Sequence, residues 1–312
     1  MSYPLELMNL QSHMRPRITI SPFSVSNMED MLNNNAGDNI DIAAVRPEFW
    51  LDQATSLNIL RSGRSALKLA LLACGVTQGD SVMIVTTTRG SYVSSCVTKV
   101  IDELCLWSHQ LESNTKVVLL IHEFGFPCKL PDEVRDRGLT IIEDCAYAVG
   151  TRIEGGEVGH IGDFAIYSLT KYYPIPFGGV LASRKPITPD LNPDPLADDA
   201  VNFVKQCFMN SVSKYTDWNQ RRRENWQYFA MQLKHHGLQD FFDIGTTVVP
   251  GVFVAKLSPA MNGSSIKDRC VLAGIESTEY YGQGGFYFPV HQYLTDFERD
   301  YVLHHFFNWG VL

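Results

Sequence analysis

Little in this sequence points to export, a membrane, a metal or nucleic acid. No uninterrupted apolar run approaches the roughly 20 residues that a helix needs to cross a bilayer. The opening stretch "MSYPLELMNLQSHMRPR" lacks a long apolar core and a small-residue cleavage site, so no secretory signal is expected there. The 7 cysteines are odd in number and include no Cys-x-x-Cys pair, which fits buried thiols in a reducing compartment better than a disulfide framework. Metal-ligand spacing is missing too. His235 with His236, and His304 with His305, are adjacent pairs that cannot point the same way on a helix. Positive charge is scarce: a formal charge of -8 argues against phosphate-backbone binding, which needs a basic surface. The one basic cluster, Arg221, Arg222 and Arg223, is expected on a solvated helix face or in an internal salt-bridge site. The expectation is a cytoplasmic protein with no structural metal and no nucleic-acid or membrane partner.

What the sequence has is an α/β pattern. With 312 residues the chain can bury a sizeable core. From about Arg61 to Ser183 apolar strands alternate with helices. "GRSALKLALLACG" carries apolar residues at helical spacing and closes on Gly75. "SVMIVT", "KVVLLIH", "LTIIED", "DFAIYS" and "GGVLAS" read as strands, with a helix through "SYVSSCVTKVIDELC". Strands this apolar require a sheet covered on both faces. "RKPITPDLNPDPLADDA" reads as a connection; a helical stretch from about Ala200 to Leu233 and a smaller α+β segment follow it. Three parts are therefore expected: residues 1–60, packing on the small domain or a partner, a large domain over 61–190, and a small C-terminal domain over 191–312.

In open α/β sheets ligands collect beyond the carboxyl ends of the strands. The polar residues there are His122, Glu143, Asp144 and Ser168. Just past Ser168 the stretch "YSLTK" fits three catalytic patterns. Tyr167 and Lys171 have the spacing of short-chain reductases, and Ser168 and Lys171 that of penicillin-recognising acyl enzymes. The third pattern is a pyridoxal 5'-phosphate (PLP) enzyme. The first half of the chain has no Gly-x-Gly turn for a nicotinamide cofactor, and Pro174 and Pro176 prevent a long helix after Lys171. The partner motifs of the acyl enzymes are missing too. The PLP reading requires a lysine amine, a carboxylate for the pyridine nitrogen and a phosphate cradle at a helix start. Lys171, Asp144 and the run Gly63, Arg64, Ser65 in "SGRSAL" suit these demands, and Tyr92 is placed to stack on a ring. His122 is expected to close a strand and Cys145 to be a buried filler.

With these residues in view, the sequence resembles the DegT/DnrJ/StrS family of PLP-dependent aminotransferases. The resemblance is carried by "SGRSALKLALLACGVTQGDSVMIV", "IHEFGFP", "IIEDCAYAVGTRIEGGEVGHIGDFAIYSLTK", "FGGVLAS" and "FPVHQYL". It implies the aspartate-aminotransferase-like fold (PLP fold type I), a large α/β domain with a mainly parallel sheet plus a smaller α+β domain. It implies Lys171 as the Schiff-base lysine and Asp144 as partner of the pyridine nitrogen. Gly63, Arg64 and Ser168 would contact phosphate, Tyr92 and Tyr147 the cofactor, and His291 the substrate. It also implies a homodimer that moves an amino group, with glutamate as donor, to a keto substrate such as a nucleotide-linked keto-sugar. The Lys171 amine, ordinarily near a pKa of roughly 10.4, is expected to be lowered by desolvation and nearby positive groups.

This chain also departs from the family pattern. "SLTK" is shorter than the usual serine-to-lysine spacing, Arg64 replaces a small hydroxyl residue, and Tyr147 stands where a glutamine is usual. The Gly-x-Asn-x-Arg segment beyond Ser183 is missing. Two alternatives therefore stay open, a degenerate protein of this fold with a binding or regulatory role, and other PLP chemistry such as elimination or decarboxylation.

Overall fold

A computed structural model describes residues 18–33, 56–153 and 156–307. The first elements in chain order are helix α1 (Val25–Leu32), strand β1 (Ser56–Leu60) and helix α2 (Gly63–Ala73). They are followed by β2 (Ser81–Thr86), α3 (Ser95–Asp102), β3 (Leu106–Ser108), β4 (Thr115–Ile121) and the single turn α4 (Asp132–Arg135). Next come β5 (Thr140–Asp144), β6 (Arg152–Ile153), β7 (Gly156–Glu157), β8 (Phe164–Ser168) and β9 (Gly179–Ser183). Two longer helices, α5 (Asp198–Ser211) and α6 (Tyr215–His235), lead into the C-terminal part. That part holds β10 (Gln239–Asp240), β11 (Val252–Lys256), α7 (Gly263–Leu272), β12 (Thr278–Tyr280), β13 (Gly285–Pro289) and α8 (Asp296–Phe307).

The apolar runs form a seven-stranded sheet in the order β1-β9-β8-β5-β4-β2-β3. Neighbours from β3 through β8 pair in parallel, while β9 runs antiparallel to both β8 and β1. Every residue of β2 and β9 is buried, as expected for strands covered on both faces. Helix α2 starts where Ser62 accepts the Ser65 amide, and Gly75, at φ +63°, takes the left-handed turn beyond its end. Its buried stripe, Ala66, Leu67, Leu69, Ala70 and Leu71, packs with Val82, Leu119 and Leu181 of the sheet. Each fully buried Leu or Val contributes about 1.5–3 kcal/mol before the entropy of ordering it is subtracted.

A second, antiparallel sheet of order β10-β11-β13-β12 lies in the C-terminal part. Aromatic packing joins it to α6 and α8. Phe253 and Phe288 stack at 5.1 Å, Phe229 meets Phe288 edge-on at 4.9 Å, and Phe306 lies 5.5 Å from Phe288. The described part of the first sixty residues touches both layers. Ile18 bridges Ile275, Met31 sits in the core around β8, β9 and α5, and residues 56–60 form an edge strand of the large sheet. Among the described residues no helix is long and apolar enough to cross a membrane, and the 7 cysteines are free thiols.

Candidate active site

Parallel strands end together, so their carboxyl ends share one rim. Here Ile121 of β4 pairs with Asp144 of β5, which pairs with Ile166 of β8. Beyond that rim lies a cavity of about 390 Å³, walled by His122, Asp144, Ser168 and Lys171 together with the start of α2. The strand-end residues singled out in the sequence thus converge, with Glu143 as the exception. As the neighbour of Asp144 on a strand it points to the opposite face. There one oxygen accepts the Ile161 and Gly162 amides, and the other accepts the Gly159 amide and the His122 ring. Burial opposes its charge, but the hydrogen bonds from the His122 ring and from the Gly162 and Gly159 amides outweigh it, so its pKa is lowered.

His122 is tied on both sides. Its Nδ1 accepts the Cys128 amide at 2.9 Å, which leaves Nε2 to donate to Glu143 at 3.1 Å. The tautomer follows from those partners. His122, Glu143 and Cys145 bring their ligand atoms within 4.8 Å of one another. Glu143 already accepts four hydrogen bonds, and burial holds the Cys145 thiol well above its ordinary pKa, so the trio reads as a hydrogen-bonded core.

Asp144 is 7% exposed, and burial raises its pKa against the opposing pulls of the Ala146 amide, His122 and Lys171. Among the described residues the Ala146 amide, at 2.9 Å, supplies its one hydrogen bond. A buried carboxylate with spare accepting capacity, facing a cavity, suits a protonated nitrogen.

Lys171 ends the 3-10 turn Leu169–Lys171 that follows β8. Its Nζ stands 4.7 Å from the centre of the Tyr147 ring. Its pKa is raised, because the Tyr147 phenol beside it outweighs desolvation. The expected lowering by burial and nearby cations is therefore not met. The phenol oxygen favours the charged amine more than burial disfavours it.

The start of α2 forms another part of the wall. Ser62, Gly63 and Arg64 line the cavity there, with Ser168 and Thr170 alongside. A helix N-terminus presents unpaired amides and a partial positive charge to an anion. Two glycines allow the close approach. A Cβ on Gly63 would lie 3.1 Å from the Ser168 Cβ, and one on Gly179 would lie 2.2 Å from the Ser62 carbonyl. Gly178, at φ +126°, turns the chain into β9.

Other expected positions fall differently. Tyr92 lines the cavity but precedes α3, which starts at Ser95, where Ser94 caps it by accepting the Cys96 amide. Its ring meets Tyr280 edge-on at 5.2 Å. Ser65 is turned from the cavity, and its hydroxyl reaches Ser62 and Asp194. His291 is likewise not among the lining residues. It is 6% exposed, its Nδ1 accepts the Tyr293 amide, and burial, then Arg222, lowers its pKa to about 3. Sequence reasoning missed Thr170, Glu123 and Tyr287, which also line the cavity. Glu123 adjoins His122 and Thr170 adjoins Lys171, both already singled out, but Tyr287 enters from β13, a contact that no local pattern announces.

Residues 54–186 match the DegT/DnrJ/EryC1/StrS aminotransferase family. A similar curated protein is GDP-perosamine synthase of Vibrio cholerae, 34% identical over 147 residues, which are 41% of this chain and 40% of that protein. The chain thus matches about two fifths of that relative's length. Among solved structures, the aminotransferase TlmJ from Streptoalloteichus hindustanus superposes with a TM-score of 0.65 at 15% identity, over 91% of this chain and 96% of that one. NtdA from Bacillus subtilis with bound cofactor PMP gives 0.66 at 14% identity, over 92% of this chain and 82% of that one. At such low identity these likenesses establish the fold, the PLP fold type I architecture expected from the sequence. Over residues 54–186 the chain is therefore similar to the DegT/DnrJ/EryC1/StrS aminotransferase family.

Proposed function

We propose that this protein is a PLP-dependent aminotransferase that moves an amino group from an amino acid, with glutamate the expected donor, to a keto-sugar. Lys171 and Asp144 line one cavity together with the glycine-bearing start of α2, and this observation carries the reading. The residues fit the group. Gly63, Arg64, Ser168 and Thr170 would hold its phosphate, Asp144 its ring nitrogen, and Tyr92 and Tyr147 would bound its ring. Arg64 offers a guanidinium fork to a phosphate. Bound there, PLP would supply a carbonyl carbon that condenses with amines and a ring that draws electrons from the α-carbon beside the nitrogen.

The chain's own residues would then do three things. Asp144 would keep a proton on the ring nitrogen, and so would gain the partner that its buried carboxylate lacks. Lys171, as an amine on a short turn, would take the proton from the donor's α-carbon and return it within the same site. Tyr147 sets the starting condition, because it holds the Lys171 proton in place. The similarity to a relative named GDP-perosamine synthase supports a sugar acceptor; a nucleotide-linked sugar and a second copy completing the site are the finer parts of the proposal.

The test is a visible absorption spectrum of the purified protein with added PLP, before and after glutamate. A yellow band that bleaches with glutamate and is missing in Lys171→Ala supports the reading. A colourless sample would favour a binding or regulatory protein of the same fold, and a stable band untouched by glutamate would favour other PLP chemistry.

A further inference from the structure

The turn that carries Lys171 has three consecutive carbonyls, and each accepts a hydrogen bond from a different, distant side chain. Ser21 Oγ donates to the Thr170 oxygen at 2.7 Å. The Arg222 guanidinium donates to the Lys171 oxygen at 2.9 Å. Gln292 Nε2 donates to the Tyr172 oxygen at 2.9 Å. The three donors come from the segment before α1, from α6, and from the segment after β13. Within the turn, the Tyr172 and Tyr173 amides both donate to the Leu169 oxygen. Its carbonyl face is thus pinned from outside and its amide face closed from within.

Arg222 is the centre of this arrangement. It is 1% exposed, and its partners are neutral. Nε donates to Gln292 Oε1 at 2.7 Å and NH1 approaches the Pro250 oxygen at 3.4 Å, while the guanidinium lies over the Tyr172 ring at 4.8 Å. Burial lowers its pKa to about 10, so it keeps its charge at neutral pH. A fully buried cation without a carboxylate is costly. If only packing were needed, a long apolar side chain would fill the same space at lower cost. The planar fork does what an apolar chain cannot: it couples Gln292, and through it Tyr172, to the Lys171 carbonyl. The Asn225 amide donates to the His291 oxygen at 2.8 Å, which anchors the segment that carries Gln292 to the same helix.

We propose that Arg222 is a positioning residue for Lys171, and that with Ser21 and Gln292 it fixes the carbonyls of the turn and hence where the amine stands in the cavity. The role rests on the proposed use of Lys171, and the test separates the two claims. Reacting groups misplaced by about 1 Å lose on the order of a hundredfold in rate, so loss of one tether is expected to be visible in capture of a reagent by this amine.

The experiment compares wild type with Ser21→Ala, Gln292→Met and Arg222→Met in the full chain. One readout is the rate of borohydride-trapped attachment of PLP at Lys171, located by peptide mass spectrometry. The other is independent of PLP: the carbon-13 resonance of Lys171 after reductive dimethylation, identified by its loss in Lys171→Arg. Thermal melting shows which variants fold. The expected result is folded variants with about tenfold or slower trapping and a displaced Lys171 resonance. Arg222→Lys, which keeps the charge but not the fork, is expected to regain melting temperature without regaining trapping. Folded variants that trap PLP at the wild-type rate with an unmoved resonance overturn the proposal. If Arg222→Met does not fold, Ser21→Ala and Gln292→Met decide by the same criteria. If wild type attaches PLP elsewhere than Lys171, the proposed function fails, and the resonance alone judges the tethers.

Discussion

Asp144 is buried beside a cavity with one hydrogen bond among the described residues, and the protein without a ligand bears the consequence. Its folded-state pKa is raised by burial, so the folded state binds this proton more tightly than the unfolded chain does. Stability from this group is therefore present at low pH and falls as pH rises from the ordinary carboxylate range through the raised value. Asp144→Asn is expected to flatten that part of the pH–stability curve and to melt no lower than wild type near pH 7, while losing the PLP absorbance. Melting curves across pH, with and without PLP, check both halves. Lys171 has the opposite problem. Tyr147 raises its pKa, yet an amine must lose its proton before it can attack a carbonyl carbon. Tyr147→Phe is therefore expected to take up PLP several-fold faster at neutral pH. The difference should close as pH rises, and stopped-flow absorbance across pH measures it. Equal uptake at every pH would remove Tyr147 from this role.

At the scale of elements, the strands were legible because burial on both faces leaves an uninterrupted apolar run. β2 and β9 match their sequence patterns to within a residue. α2 was legible from its helical spacing and Gly75. Helix α3 was expected earlier, but Ser94 offers a side-chain cap at which Tyr92 cannot compete, so it starts at Ser95. Edge strands β1 and β3 are only partly buried or exposed, and so carry no run to read. Arg222 was expected on a solvated face or in a salt bridge; its partners are instead carbonyl and amide oxygens from remote segments, and a sequence carries no mark of those. The strand-end positions of the site were legible, whereas contributions from β13 and the segment before α1 depend on tertiary packing. One junction supports a direct test. Gly179 abuts the Ser62 carbonyl, and backbone cannot step aside as a flexible side chain can. Gly179→Ala is expected to cost about 2 kcal/mol or more and to weaken PLP binding by moving the start of α2 from β9. Denaturant unfolding and a PLP titration measure the two effects, and a stable variant with unchanged affinity would contradict the close packing.

On the scale of the whole molecule, the two sheets meet at the cavity. Glu123, after β4, accepts the Thr88 amide at 2.8 Å and the Thr88 hydroxyl at 2.9 Å, and Tyr280 of β12 donates its phenol to the same carboxylate. Phe124 beside it adopts φ +56°, a left-handed conformation rare for a bulky residue, with its ring edge-on to Tyr280 at 5.0 Å. This buried carboxylate therefore joins the layers next to the proposed active site. Glu123→Ala leaves the Tyr280 hydroxyl without its main acceptor and is expected to destabilise by about 2 kcal/mol. Hydrogen exchange should speed up over residues 278–289 more than in β2 or β4. Uniform acceleration would mean that the link is not local.

The three tethers of the lysine turn also impose an order on assembly. Residue 171 leaves the ribosome long before residue 292, so the Lys171 amine at first stands on a turn that lacks one of its tethers. A chain cut short before Gln292 is expected to capture PLP at least about tenfold more slowly than the full chain. Maturation of the site would then be among the last events in the biogenesis of this protein, which would protect a half-made molecule from trapping stray aldehydes.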